Sequence, residues 1–202
     1  MTSQRRGEET RSHILQAAEE CFAQYGYDAT SVAEICRRAG VTKGGFYHHF
    51  PSKQALFLEL LERWLAELDI QLAATRAQAD TIPEGLLQMA EMVRPVFQAT
   101  GGQLPISLEF WTKATRDPTV RQATVAPYRR YRDFFSGMIE AGIVEGTLRS
   151  VDPEMAAQVI VSLAAGLVLQ RLLDPHGADW GEVAQEGIRM LLEGLEKRQQ
   201  EK

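Results

Sequence analysis

A chain of 202 residues, 45% hydrophobic and 24% charged, can bury the core of one or two domains and is too apolar to be disordered. Its net charge of −5 means that any binding of nucleic acid rests on local placement of cations, not on bulk attraction. Two cysteines, no apolar run of expected membrane-spanning length and no signal-like stretch in MTSQRRGEETR lead to the expectation of reduced thiols, a cytoplasmic protein and no membrane partner.

The charge is unevenly spread. Residues 1–53 hold seven Lys/Arg against six Asp/Glu, and the remainder holds fifteen against twenty-one. Met1 to Gly7 is polar, with Arg5 and Arg6, and is expected to be disordered in isolation. From Glu8 to Tyr25, Ile14, Leu15, Ala18, Cys21, Phe22 and Tyr25 share one face of a helix that Gly26 stops. Cys21 and Cys36 both fall on inward faces, where core thiols are expected.

Thr30 to Lys53, TSVAEICRRAGVTKGGFYHHFPSK, reads as two short helices joined by a tight turn. Ser31 with Glu34 is a capping-box signal, and Thr30 is an alternative N-cap one step earlier. Val32, Ile35 and Cys36 point inward at helical spacing, and Ala39-Gly40 breaks the helix after Arg38. Thr42 caps a second helix, Lys43 to His49, whose Phe46 and Phe50 hold it down. Helix, short turn and helix in this order form a DNA-reading helix-turn-helix.

Gly44 and Gly45 each cost about 1 kcal/mol relative to alanine inside a helix, so stability does not explain them. Missing side chains let a backbone approach another surface closely. Lys43 is therefore expected to face DNA, with Gly44, Gly45 and His48 near base edges. Thr42, Tyr47 and Lys53 are expected at phosphates, with Thr30 and Ser31 donating from the first helix's N-terminus.

This run, with AGVTKGGFYHHFPSK at its centre, resembles the N-terminal signature of the TetR family of bacterial transcriptional regulators. The resemblance extends from near Ile14 to Leu58, and Cys36 stands where the family usually has a smaller residue. It implies a shared helical architecture beyond that region, a small-molecule site in the second domain and pairing through the two C-terminal helices.

Ser52 caps a long helix in which Leu56, Phe57, Leu60, Leu61, Trp64, Leu65, Leu68 and Leu72 repeat at helical spacing. Pro83 opens a helix running to Phe97, with Pro95 bending its last turn. Further helices are expected from Leu104 to Thr115 and from Pro118 to Ala141, the second kinked at Pro127. Gly142 to Asp152 reads as a loop. Residues 153–173 are apolar nearly all round, and a last helix occupies 181–198.

The expected fold is all-α, with a DNA-binding head over residues 1–52 and an effector-binding and dimerisation domain over 53–202. The effector site is expected among Trp64, Met89, Met92, Phe97, Phe110, Trp111, Tyr131 and Phe135, and its ligand is apolar or aromatic. The homodimer interface is expected at Ala157, Ile160, Val161, Ala164, Val168, Ile188, Leu191, Leu192 and Leu195, because two half-sites call for two heads. His48 and His49 are adjacent and point apart, so no metal is expected. No nucleophile elbow, HExxH or CxxC occurs, so neither a cofactor nor an enzyme is expected. The resulting expectation is a ligand-responsive regulator, most simply a repressor, partnered by a palindromic DNA operator. A constitutive DNA-binding dimer and a helical protein–protein adaptor are the alternatives.

Overall fold

The computed structural model describes residues 2–92, 94–95 and 103–195. Its regular elements are α1 (Thr2–Tyr25), α2 (Val32–Ala39), α3 (Lys43–His49), α4 (Lys53–Gln78), α5 (Ile82–Glu91), α6 (Gln103–Ala114), α7 (Pro118–Glu145), α8 (Pro153–Leu173) and α9 (Trp180–Leu195). They form two compact units, one of Met1–Glu67 with Gly101–Thr124 and one of Leu68–Thr100 with Val125–Lys202. A boundary after residue 52 follows the motif, whereas packing keeps the first part of α4, all of α6 and the start of α7 with the head.

In the first unit the expected caps are made. Ser31 Oγ accepts the Glu34 amide at 3.1 Å, Thr42 Oγ1 accepts the Gly45 amide at 3.1 Å and Ser52 Oγ accepts the Ala55 amide at 3.0 Å. Gly40 ends α2 in the left-handed region, φ 68°. Thr2 to Gly7 differs from expectation, since the helix begins at Thr2, six residues ahead of Glu8. The Arg5–Glu9 pair and the Thr10 hydroxyl bonded to the Arg6 carbonyl support this first turn.

Ile14, Ala18, Cys21, Phe22, Ile35, Phe46, Phe50, Leu56, Phe57 and Phe110 are sealed in one core. Each fully buried phenylalanine contributes about 1.5–3 kcal/mol. The Phe57 and Phe110 rings stack at 3.8 Å, and Trp64 meets Phe110 edge-on. Cys21 and Cys36 are free and buried, and burial pushes both thiols up.

The second unit has its own core of Leu72, Ile82, Leu86, Met89, Met138, Ile139, Leu148, Ile160, Leu192 and Leu195. Thr81 and Asp152 cap α5 and α8. Helix α5 closes at Met92, short of the expected end, and Phe97 lies outside the described residues. Helix α7 passes Ala141 and runs to Glu145. Helix α8 is long and apolar enough to cross a membrane by length and composition, contrary to expectation, because its 21 residues hold few charges. One side of it is nonetheless core, with Ala156, Ala157, Ile160, Val161 and Leu167 buried.

Candidate DNA interface and effector cavity

Helix α3 turns Phe46 and Phe50 inward, at 0% and 1% exposure, and so presents the opposite side. Thr42, Lys43, Gly44 and His48 are exposed there, together with Tyr47 at 54%. A Cβ built on Gly44 or Gly45 meets nothing nearer than Thr42 Oγ1 at 3.8 Å and 3.5 Å. Internal packing therefore does not require either glycine. Within the motif Arg37 is bonded to Glu34 at 3.0 Å and Arg38 to Gln24 at 3.0 Å, while Lys43 has no acidic partner among the described residues. Lys43 is thus the cation that this surface offers to an anion.

Two expected phosphate contacts are placed differently. Thr30 is 2% exposed, its hydroxyl donating to the carbonyls of Gly26 at 2.7 Å and Cys21 at 3.2 Å. Its amide bonds to Gly26 as well, so Ser31 alone presents a hydroxyl at this end of α2. Lys53 Nζ donates to the carbonyls of Tyr27 at 2.6 Å and Thr30 at 2.7 Å, and lies 4.2 Å from the Tyr27 ring centroid. Burial holds its ammonium below the usual range. Two of its three N–H groups are thus spent on the loop between α1 and α2. Lys53→Ala is expected to destabilise the fold by about 1.5–3 kcal/mol, the worth of a charge-assisted hydrogen bond, and to weaken DNA binding with it. A melt matching the wild type would place this lysine wrongly.

The second unit holds a partly open cavity of about 210 Å³. Leu68, Gln71 and Leu72 line it from α4, and Leu86, Met89, Ala90 and Met92 from α5 and its cap. Tyr131 and Phe135 come from α7, Ile160, Val161, Leu163, Ala164 and Leu167 from α8, and Ala184 and Ile188 from α9. Of the expected effector residues, Met89, Met92, Tyr131 and Phe135 come together here. Trp64, Phe110 and Trp111 do not, because α6 packs on α1 in the head and commits Phe110 to that core.

Among these lining residues none carries a formal charge, and only Gln71 and Tyr131 have polar side chains. Burial, then the carboxylate of Asp69, pushes the Tyr131 phenol up to about 12, with Arg130 opposing. Asp69 is itself paired with Arg130 at 2.7 Å. The Met92 sulfur accepts the Thr75 hydroxyl at 3.1 Å.

The expected interface residues are also sorted by the structure. Ala157, Ile160, Val161, Leu192 and Leu195 are at most 7% exposed within the single chain, and Ile160, Val161, Ala164 and Ile188 line the cavity. Val168 and Leu191 are half-buried. Ala164 is exposed, and on another side of α8 so are Met155, Val159, Leu169 and Leu173, with Val183 and Met190 exposed on α9. A helix apolar all round gives no periodicity from which to tell its inner side from its outer one.

An exposed α3 on a capped helix-turn-helix, with a separate helical unit that holds a partly open apolar cavity, defines a helix-turn-helix regulator. The model described as "Bacterial regulatory proteins, tetR family" matches residues 14–60, and that of the "BetI-type transcriptional repressor, C-terminal" matches 82–196. The chain belongs to the TetR family of bacterial transcriptional regulators, which are DNA-binding proteins and not enzymes.

It is 29% identical over 187 residues to the A-factor receptor protein of Streptomyces griseus, covering 92% of this chain but 63% of that relative's length. It is 29% identical over 196 residues to the regulator AcrR of Shigella flexneri, covering 92% and 89%. Among solved structures, a transcriptional regulator from Saccharomonospora viridis in complex with choline has a TM-score of 0.83 at 24% identity, covering 95% of this chain and 100% of that one. Reduced NemR of E. coli has a TM-score of 0.78 at 24% identity, covering 96% and 100%. At such identity these structures bear on the fold.

Proposed function

We propose that this protein is a cytoplasmic, dimeric repressor that reads an inverted-repeat operator and is released by a small neutral effector. The observation that carries the DNA part is the outward side of α3, where Lys43 has no acidic partner among the described residues and stands beside two glycines at which a Cβ would meet only ordinary contacts. Selection of bound duplexes from a randomised pool tests it. An inverted repeat is the expected outcome, and recovery of no preferred sequence would count against operator reading.

The exposed apolar side of α8 supports a second copy as the partner. Met155, Val159, Leu169 and Leu173 recur on one helical face, and a Cβ on Gly166 between them meets nothing within 4 Å. A charge placed there is buried unpaired in a dimer. Val159→Glu with Leu169→Glu is expected to give monomers in sedimentation and to lower affinity for the full repeat at least about a hundredfold, the scale of lost avidity. A wild type that sediments as a monomer while holding the repeat tightly sinks the dimer.

The cavity supports a sensor over a constitutive binder. An engineered apolar cavity of about 150 Å³ holds benzene, so this one suits a single ring with a short alkyl chain, or an aliphatic of similar bulk. The choline complex of the Saccharomonospora protein raises the case of a cation. Here the lining offers a quaternary ammonium two aromatic rings and no carboxylate, which favours a neutral molecule.

A further inference from the structure

The loop that leads from α1 into the helix-turn-helix is gripped by Lys53 at the motif's end and by two side chains of α6, which lies outside the motif. Gly26 turns with φ 79°, and a Cβ there would stand 2.9 Å from Glu109 Oε1, so this carboxylate packs against the turn itself. The same oxygen accepts the Tyr27 amide at 3.2 Å. Four residues on, Lys113 pairs with Asp28 at 2.8 Å and lies 4.3 Å from the Tyr27 ring centroid. Lys53 lies 4.2 Å from that same ring and holds the loop's Tyr27 and Thr30 carbonyls.

Glu109 and Lys113 stand one turn apart on α6 and therefore act on the loop together. Between them Phe110, 1% exposed, stacks on Phe57 and fixes α6 in the head's core. Ser31 caps α2 directly after this loop, so the course of the loop sets how α2, and α3 behind it, leave α1. Neither side chain belongs to the exposed side of α3.

We infer that Glu109 and Lys113 are positioning residues for DNA reading: they hold the Gly26–Thr30 loop, and operator affinity thereby depends on a helix some sixty residues beyond the motif. This rests on the reading of α3 as the DNA-facing helix. The grip adds polar contacts to the Phe110 packing that holds α6 in the head, and it gives an otherwise local motif a second point of attachment.

The test uses the full-length protein and a duplex recovered by the wild type from the randomised pool, with affinity measured across a salt series at a temperature where circular dichroism shows each variant folded. Glu109→Ala is expected to weaken binding about tenfold with an unchanged salt slope, because no phosphate contact is removed. Glu109→Gln keeps a carbonyl acceptor for the Tyr27 amide and is expected to bind within about twofold of the wild type. Lys113→Met is expected to weaken binding by about threefold, again at constant slope.

Wild-type affinity in folded Glu109→Ala overturns the inference. So does a slope lowered by about one in Lys113→Met, which makes that lysine a direct phosphate contact. Should Glu109→Ala fail to fold, Lys113→Met carries the test, since Asp28 is a surface partner whose loss the fold tolerates. A wild type that selects no duplex sinks the DNA reading before any variant is made, so the two failures are told apart.

Discussion

Replacing Gly44 and Gly45 together by alanine is expected to make the protein more stable and a much poorer DNA binder. Each substitution removes a helix penalty of about 1 kcal/mol, and the ideal Cβ atoms stand in ordinary contact, with Thr42 Oγ1 as near neighbour at 3.8 Å and 3.5 Å. Neither position has the positive φ that demands glycine. Nothing inside the protein resists the change. If α3 lies against base edges, two methyl groups per head hold the backbone off the groove and lengthen the contacts of Lys43 and His48. A loss of about tenfold per half-site gives about a hundredfold for the repeat, or roughly 2.7 kcal/mol. Melting temperature and operator affinity should therefore move in opposite directions. A double variant that melts higher and binds as before would show that these glycines serve some other surface.

The head was legible in the sequence because its signals are local. Caps, the stop at Gly40 and the Phe46/Phe50 stripe each lie within one turn of what they control, and α2 and α3 fold where those signals put them. Signals with two equivalent readings were less secure. Thr30 and Ser31 are both good N-caps, and only packing shows that the Thr30 hydroxyl turns back to the end of α1 while Ser31 caps. Lys53 has the chemistry of a phosphate ligand and the geometry of a loop clasp, a choice that depends on carbonyls 23 and 26 residues away.

Longer-range facts left no trace in the pattern. Nothing in the spacing of Phe110 or Trp111 says that α6 joins the head, and nothing near Tyr27 points to Glu109. Met89, Met92, Tyr131 and Phe135 are legible as a group because large adaptable side chains on neighbouring helices tend to meet. The share of α8 in the same cavity is not legible, since its small and branched residues read as interface. Whether they serve as both is set by which way the helix is turned.

Filling the cavity is expected to separate sensing from DNA binding. Met89 is 6% exposed and lines the space, so the indole of Met89→Trp has about 210 Å³ to enter before it meets another wall. The extra bulk costs about 1–3 kcal/mol if repacking is incomplete, and Met89→Leu, close in volume, controls for the loss of methionine. Because the lining residues all belong to the second unit, the α3 surface is untouched and operator affinity should stay within about twofold of the wild type. A compound found by thermal shift, stabilising the wild type by about 2.7 kcal/mol at a hundred times its Kd, should lose that shift in Met89→Trp and keep it in Met89→Leu. Release of the operator should fail in the same variant, because a ligand moves the equilibrium only by its differential affinity for the two states. A typical coupling of about 1–3 kcal/mol corresponds to a change in operator affinity of about 5–150-fold, ample for a gel shift. Retained release in Met89→Trp would place the effector elsewhere, and a wild type that no small neutral compound stabilises would favour the constitutive binder.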